Sequence, residues 1–278
     1  MKSYNRVLTI AGSDPSGGAG IQADIKTISA MGCYASSAIT SVVNENTVGV
    51  YGVHNIPVDI VIGQIESVLD DIGADAIKIG MLFSPELAHA VAEILKKREV
   101  KNVVLDPVMV ATSGGDLMQN ETIEVITKEL FPLARIVTPN IPEASKLLKG
   151  RNIKTVDEMK EAASDLTDYG ASVLLKGGHM EGDVLIDVLC NNETMQRLEL
   201  PCDKVKTNNT HGTGCTLSSA IASALAKGKG LTSAVIEAKN YMQKAITIGA
   251  EYEIGKGHGP VCHFFTEIEK SEIGGLNR

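Results

Sequence analysis

The chain has 278 residues, with 26 Lys and Arg against 34 Asp and Glu, for a formal net charge of −8. That acidic balance argues against a nucleic-acid surface, where a basic domain is expected, and no apolar run approaches the ~20 residues that span a bilayer. Cys33, Cys190, Cys202, Cys215 and Cys262 are odd in number, widely spaced and without CxxC pairs, so neither a disulfide framework nor a zinc site is supported. With 44% hydrophobic and 22% charged residues, the composition is globular, and the expectation is a soluble, reduced, cytoplasmic protein.

In chain order, Val7–Ile10 is an apolar run too short for the h-region of a signal sequence, and it reads as a first strand. It enters a glycine loop and then a helix with Ile21, Ile25 and Ile28 on one face. An apolar run covers Ala38–Val43. Ala76–Ile79 precedes Ser84-Pro85-Glu86, an N-cap with proline at the first helical position, and a helix to about Lys97. Val103–Leu105, Ile136–Val137 and Val173–Leu175 each lead into a polar motif. Helices are expected near Thr155–Tyr169, Gly214–Ala226 and Thr232–Ala250, and an antiparallel hairpin over Val184–Leu200 around Asn191-Asn192. Short apolar runs alternating with helices imply an α/β protein whose central, mostly parallel sheet has helices on both faces. No linker or repeat divides the chain, so one domain is expected, with a core over about 5–266 and a tail over 267–278. Ligands of such sheets bind at the carboxyl ends of the strands, and every polar motif follows a predicted strand.

Gly12-Ser13-Asp14-Pro15-Ser16-Gly17-Gly18-Ala19-Gly20 allows close backbone approach to a ligand, with helix N–H groups aimed at it, or is a tight structural turn. Gly18–Ala23 fits a G-x-G-x-x-A dinucleotide fingerprint, although the only acid about 20 residues later is Glu45. Asp24 either favours the positive end of the following helix or contacts substrate. Asn44-Glu45-Asn46-Thr47 offers polar groups for a heterocycle's edge, or is a solvated turn. Asn140-Ile141-Pro142-Glu143 is a capping box or a place where a carboxylate holds Mg²⁺ through water. Lys176, before Gly177-Gly178, is solvated or meets a phosphate. Asn209-Thr210-His211-Gly212-Thr213-Gly214-Cys215-Thr216 opens a helix with Leu217, Ile221 and Leu225 inward. Its first N–H groups suit a transferring phosphoryl group. Cys215 in that first turn is expected to have a lowered pKa, or is a small packed residue. A Cys215/His211 hydrolase lacks an evident third group to orient the histidine. Gly255–Val261 reads as a C-terminal loop.

Eight segments carry a resemblance: Ala11–Thr27, Glu45–Val50, Asp75–Leu82, Leu105–Ala111, Thr138–Ala144, Leu174–His179, Asn209–Ala222 and Gly255–Phe265. In this order they resemble the hydroxymethylpyrimidine/phosphomethylpyrimidine kinase family of thiamine synthesis, within the ribokinase-like superfamily. The resemblance implies a three-layer α/β/α fold and ATP-dependent phosphorylation of 4-amino-5-hydroxymethyl-2-methylpyrimidine, then of its monophosphate. It implies an anion hole at Gly212, Thr213, Gly214 and Cys215, with Cys215 where most ribokinase-like enzymes have an aspartate base. Asp106, Asn140, Lys176, Thr210 and Lys239 match ATP or phosphate positions, and Glu143 with Asp106 matches the Mg²⁺ site. Gly12, Asp24, Glu45, Met81 and Val108 match positions around the pyrimidine. A monovalent cation and a homodimer are further implications; nucleic acid and membrane are not expected partners.

Two residues depart from the family pattern. Glu45 stands where glutamine is usual; a carboxylate can only accept hydrogen bonds, and pairing both ring sites requires a protonated ring or a protonated Glu45, so the expectation is binding that strengthens as pH falls or a shift in the preferred substrate. Thr112, in Thr112-Ser113-Gly114, stands where lysine is frequent. The competing readings are a pyridoxine/pyridoxal kinase on the same fold, an NAD-dependent oxidoreductase resting on Gly18–Ala23, and a non-catalytic pyrimidine- or nucleotide-sensing module.

Overall fold

A computed structural model describes residues 2–109, 120–178, 180, 182–266 and 268. Thr112-Ser113-Gly114, His179 and most of the tail over 267–278 lie outside the described residues. Nine strands form one sheet: β1 (Arg6–Ser13), β2 (Tyr34–Glu45), β3 (Val50–Asn55), β4 (Ala76–Ile79), β5 (Val103–Leu105), β6 (Ile136–Val137), β7 (Ser172–Leu175), β8 (Val184–Asn191) and β9 (Gln196–Asp203). Their spatial order is β3-β2-β1-β4-β5-β6-β7-β8-β9. From β2 to β7 neighbours run parallel, while β3, β8 and β9 join antiparallel.

The central strands β4 to β7 are buried throughout, as expected for parallel strands covered on both faces. Alternation along each strand sends neighbours to opposite layers. Ile77 and Ile79 join a core with α2 (Val58–Asp71), α3 (Pro85–Lys97), α5 (Ile141–Leu147) and α6 (Val156–Leu166). Ala76 packs with Val7, Val104 and Ile136 against α1 (Gly20–Ala30), α7 (Thr213–Ala226) and α8 (Leu231–Gly249). The short α4 covers Asn120–Val125.

Ser84 caps α3 as the Ser-Pro-Glu motif predicts, accepting from Leu87 N. The hairpin of β8 and β9 turns where Asn191-Asn192 predicts, and extends to Asp203. On α1 the expected isoleucine face is incomplete: Ile25 is 36% exposed, and Asp24 is buried beside Ile21 and Ile28. The sequence reading misses β3 and α2. Every residue of β3 is at least partly exposed, leaving no apolar alternation, and α2 begins after Pro57 without a side-chain cap. Leu217, Ile221 and Leu225 point inward as expected, but α7 is buried on all sides from Thr216 to Ala226. Its Ala and Ser residues let it lie between the sheet and both neighbouring helices.

Candidate active site

A cavity of about 640 Å³ opens at the carboxyl ends of the parallel strands. Gly12 and Ser13 reach it from β1, Glu45 from β2, Met81 from the segment after β4, and Asp106 and Val108 from the segment after β5. Asn140 and Glu143 follow β6, Lys176 follows β7, and Thr210 to Cys215 lead into α7. Lys239 comes from α8. Fourteen of the fifteen residues expected at the site therefore border one space, and Asp24 is the exception.

The N-terminus of α7 has no side-chain cap, unlike those of α3, α5 and α6, where Ser84, Asn140 and Thr155 accept helix N–H bonds. The N–H groups of Gly214 and Cys215 lie in the first turn, before intrahelical bonding begins, and this turn borders the cavity. Gly212 starts the helix with φ +76, and a Cβ there would lie 1.7 Å from the Gly18 carbonyl oxygen. The helix N-terminus thus packs tightly on the glycine loop. The expectation of a lowered thiol pKa at Cys215 is overturned. Burial pushes it up to about 11; Lys78 pulls it down, but Asp24 and Asp106 reinforce the rise. Desolvation of the thiolate, reinforced by those two carboxylate charges, outweighs the helix end.

Beside α7, Lys176 Nζ donates to Asp106 Oδ1 at 2.9 Å and Thr138 Oγ1 donates to the same oxygen at 2.8 Å. Burial would lift Asp106, but Lys176 and Lys78 outweigh it and hold the carboxyl below its usual range. Lys176 is raised: burial opposes its charge, while Asp106 and Glu143 more than restore it. The capping box of α5 is complete, with Glu143 N donating to Asn140 Oδ1 and Asn140 N to Glu143 Oε2. Its two readings are compatible, because the box fixes the Glu143 carboxyl at the cavity wall. Burial lifts that carboxyl to about 7, against the pull of Lys176 and with the push of Asp106.

At the other end, Asp14 changes the reading of the glycine loop. Its Oδ1 accepts from Ser16 N, and its Oδ2 accepts from Gly18 N at 3.0 Å and Ala19 N at 2.7 Å. The protein's own carboxylate therefore fills the anion position ahead of α1, and a pyrophosphate cannot use those donors. The dinucleotide fingerprint of Gly18–Ala23 is overturned for this reason. Asp14 Oδ2 also lies 2.9 Å from His211 Nε2. Burial would lift Asp14, but His211, Ser16 and Ala19 hold it well below the carboxylate range. His211 thus has an orienting acid after all, yet Cys215 takes its charge effects from Lys78, Asp24 and Asp106, which leaves the Cys/His hydrolase without its pair. Glu45 completes this corner, its carboxyl lifted to about 7 by burial and by Asp14, with His211 opposing. Thr47 receives the Gly255–Val261 loop: His258 N donates to its carbonyl oxygen at 2.8 Å, and Lys256 and Gly257 N to its hydroxyl.

Asp24 is 0% exposed and lies in the second turn of α1, so neither the helix-end reading nor substrate contact describes it. Its carboxylate accepts from Lys78 Nζ at 2.8 Å, from Thr9 Oγ1 and from Ser219 Oγ. Lys239 pairs with Asp187, whose other oxygen accepts from Gly177 N at 2.8 Å. The sequence reading did not single out Asp14, Thr138, Asp187 or Lys78 as site residues. For Lys78 a signal existed, a lysine inside the apolar run Ala76–Ile79.

A family model described as phosphomethylpyrimidine kinase matches residues 14–262. The hydroxymethylpyrimidine/phosphomethylpyrimidine kinase of Salmonella typhimurium is 46% identical over 258 residues, covering 92% of this chain and 96% of that protein. The probable thiamine biosynthetic bifunctional enzyme of Oryza sativa is 47% identical over 265 residues, covering 94% of this chain and 48% of that protein. The chain therefore spans about half the length of such bifunctional relatives. Among solved structures, the ADP complex of Bacillus subtilis pyridoxal kinase superimposes with a TM-score of 0.87 at 37% identity, covering 94% of this chain and 98% of that one. No helix among the described residues is long and apolar enough to cross a membrane. With its strand-end cavity, open α7 N-terminus and matching sequence over most of its length, the chain belongs to the phosphomethylpyrimidine kinase family.

Proposed function

We propose that the protein transfers the γ-phosphoryl group of ATP to the hydroxymethyl oxygen of 4-amino-5-hydroxymethyl-2-methylpyrimidine, and then a second phosphoryl group to the resulting monophosphate. One observation carries this reading: the uncapped α7 N-terminus lies in a single cavity with Asp106, Lys176 and Glu143 and with the hydrogen-bonding Glu45. Phosphoryl transfer needs positioning and charge stabilisation more than covalent help from the protein, and this arrangement supplies both.

In the proposed reaction the Gly214 and Cys215 N–H groups and the Lys176 ammonium face the oxygens of the transferring phosphoryl group. Asp106 keeps Lys176 charged and aimed. Glu45, Gly12, Met81 and Val108 hold the flat ring, and Cys215 accepts the proton of the attacking hydroxyl as the oxygen–phosphorus bond forms. A thiol at about 11 is scarcely ionised in the free protein but is the stronger base once ionised, so the first step accelerates as pH rises. The second acceptor is already a phosphate and needs no base.

The donor set fits Mg²⁺. Asp106 and Glu143 follow the neighbouring strands β5 and β6, and Glu143 at about 7 is a buried carboxyl short of positive charge. One or two carboxylates alongside substrate phosphates is a coordination that Mg²⁺ accepts. Bound there, the ion would supply charge neutralisation on the nucleotide phosphates.

A homodimer is part of the same proposal, supported by Val48 in the β2–β3 turn and Tyr51 on the edge strand β3, 60% and 62% exposed. Light scattering on the purified protein tests it.

The function is tested by coupled ADP release with Mg-ATP against hydroxymethylpyrimidine, its monophosphate and pyridoxal in parallel. Turnover of both pyrimidines is expected. Turnover of pyridoxal alone would replace this reading with that of the Bacillus subtilis neighbour, and no ADP with any acceptor would favour a sensing module.

A further inference from the structure

Lys78 is the third residue of β4, a strand buried at every position, and its side chain is 0% exposed. It pairs in register with Thr9 of β1, on the sheet face covered by α1 and α7. The interior of a parallel sheet is apolar, and apolar residues of similar volume commonly match or better a buried ion pair in stability. Fold stability alone therefore gives no reason for a lysine here.

The surroundings are built to keep it. Asp24 Oδ2 accepts from Nζ at 2.8 Å, and the same carboxylate accepts from Thr9 Oγ1 at 2.5 Å and from Ser219 Oγ at 2.7 Å. A Cβ at residue 80 would lie 2.9 Å from Nζ, so Gly80 leaves the ammonium its space. Burial opposes the Lys78 charge, and Asp24, Cys215 and Asp106 together more than restore it.

Position supplies the missing reason. Through Asp24 the ammonium is tied to Ser219, four residues after Cys215 and so on the same face of α7. Lys78 and Cys215 border the same cavity, and the Gly20 N–H faces the sulfur. The charged groups acting on Cys215 are Lys78 from β4, Asp24 from α1, Asp106 after β5 and Lys176 after β7. Lys176 is engaged by Asp106, and Lys78 exerts the strongest charge effect on the thiol.

We propose that Lys78 is a positioning residue for phosphoryl transfer: its ammonium, fixed by Asp24, which also holds Ser219 of α7, is the counter-charge against which the Cys215 thiol ionises. The proposal rests on Cys215 as the base of the first phosphorylation. Lys78 exchanges no proton; the substrate's proton goes to the Cys215 sulfur. Asp24 then acts through Lys78, at one remove from the substrate.

The test reads the thiol directly. Cys215 alkylation by iodoacetamide is followed from pH 6 to 11 by mass spectrometry of its peptide, in the wild type, Lys78→Met, Lys78→Arg and the double variant Lys78→Met/Asp24→Asn. The double variant removes both buried charges and is the version expected to fold. In Lys78→Met the alkylation profile moves to higher pH by about one unit, which is ~10-fold less thiolate at a fixed pH below the midpoint. The double variant moves upward by less, since the opposing Asp24 charge goes too, and Lys78→Arg stays near the wild type. The double variant decides: an upward shift of about half a unit or more supports the proposal, and a smaller one overturns it. The Cys215→Ala variant tests the base role separately. Undiminished first phosphorylation there would refute that role without touching the thiol titration.

Discussion

Asp14 and Glu45 bring their carboxyl oxygens within 4.8 Å of each other, with a His211 ring nitrogen inside that distance of both. Different partners hold the two acids. Asp14 accepts from Ser16, Gly18 and Ala19 N–H groups and stays ionised. Glu45 faces burial and the Asp14 charge, which lift it to about 7. Two carboxyls this close divide into one charged and one protonated group. A protonated Glu45 donates one hydrogen bond and accepts another, the pattern that a ring nitrogen beside an exocyclic amine requires.

Binding of the aminopyrimidine should accordingly depend on pH. Below about 7 Glu45 keeps its proton and both bonds form; above it the donor is lost and a carboxylate faces a ring lone pair. The KM for hydroxymethylpyrimidine is expected to rise ~10-fold between pH 6.5 and 8.5, about 1.4 kcal/mol, while Glu45→Gln shows a flat profile. Steady-state kinetics across that range decide it, and a flat wild-type profile from pH 5.5 to 8 would remove the proton from the recognition scheme.

Cys215→Ala separates the two phosphorylations. Loss of a general base typically costs ~10²–10⁴-fold, and the weak match between a thiolate and an alcohol places the first step near ~10²-fold. The second step should change less than about 3-fold, since no base is involved. Turnover measured separately with alcohol and monophosphate acceptors checks this, and equal losses would confine Cys215 to the anion hole.

Lys176→Met removes the cation that Asp106, itself held by Thr138, keeps in place. A preorganised charge facing the transition state is worth roughly 10²–10³-fold in kcat, so both phosphorylations should fall together by about that factor. Circular dichroism confirms folding, and an isothermal titration with ADP shows whether ground-state binding is retained. A fall in one step alone would contradict a contact to the transferring group.

Gly212→Ala should unfold the protein more readily than a comparable change elsewhere. Gly212 and Gly228 both have positive φ, +76 and +80, but a Cβ at Gly212 meets the Gly18 carbonyl at 1.7 Å while at Gly228 it meets nothing within 4 Å. Gly228→Ala carries the conformational penalty alone, about 1 kcal/mol, and Gly212→Ala adds a clash that has to move backbone, for about 3 kcal/mol or more. Melting temperatures of the two variants measure the difference. Equal temperatures would show that the glycine loop yields to α7.

Local patterns explain why much of the fold was legible. Ser84-Pro85 and Asn140-x-x-Glu143 announce helix starts through bonds made within four residues. The apolar runs of β4 to β7 announce buried strands because both faces are covered. The edge strand β3 escaped because its residues remain partly or fully exposed.

The site divides along the same line. By itself the sequence determined that Gly12, Glu45, Asp106 and Lys176 lie at strand ends and that Glu143 and Cys215 lie in first helical turns, because each follows an apolar run or opens a helix, and that is a local property. Only the tertiary structure decided the charges. Asp14 fills the anion position of α1 and meets His211, 197 residues away along the chain. Asp24 turns from the substrate to Lys78, 54 residues away, and Cys215 rises to about 11 where a helix end alone implies a fall. The reason is physical: ionisation depends on the distance and desolvation of groups brought together by folding, and spacing along the chain records neither.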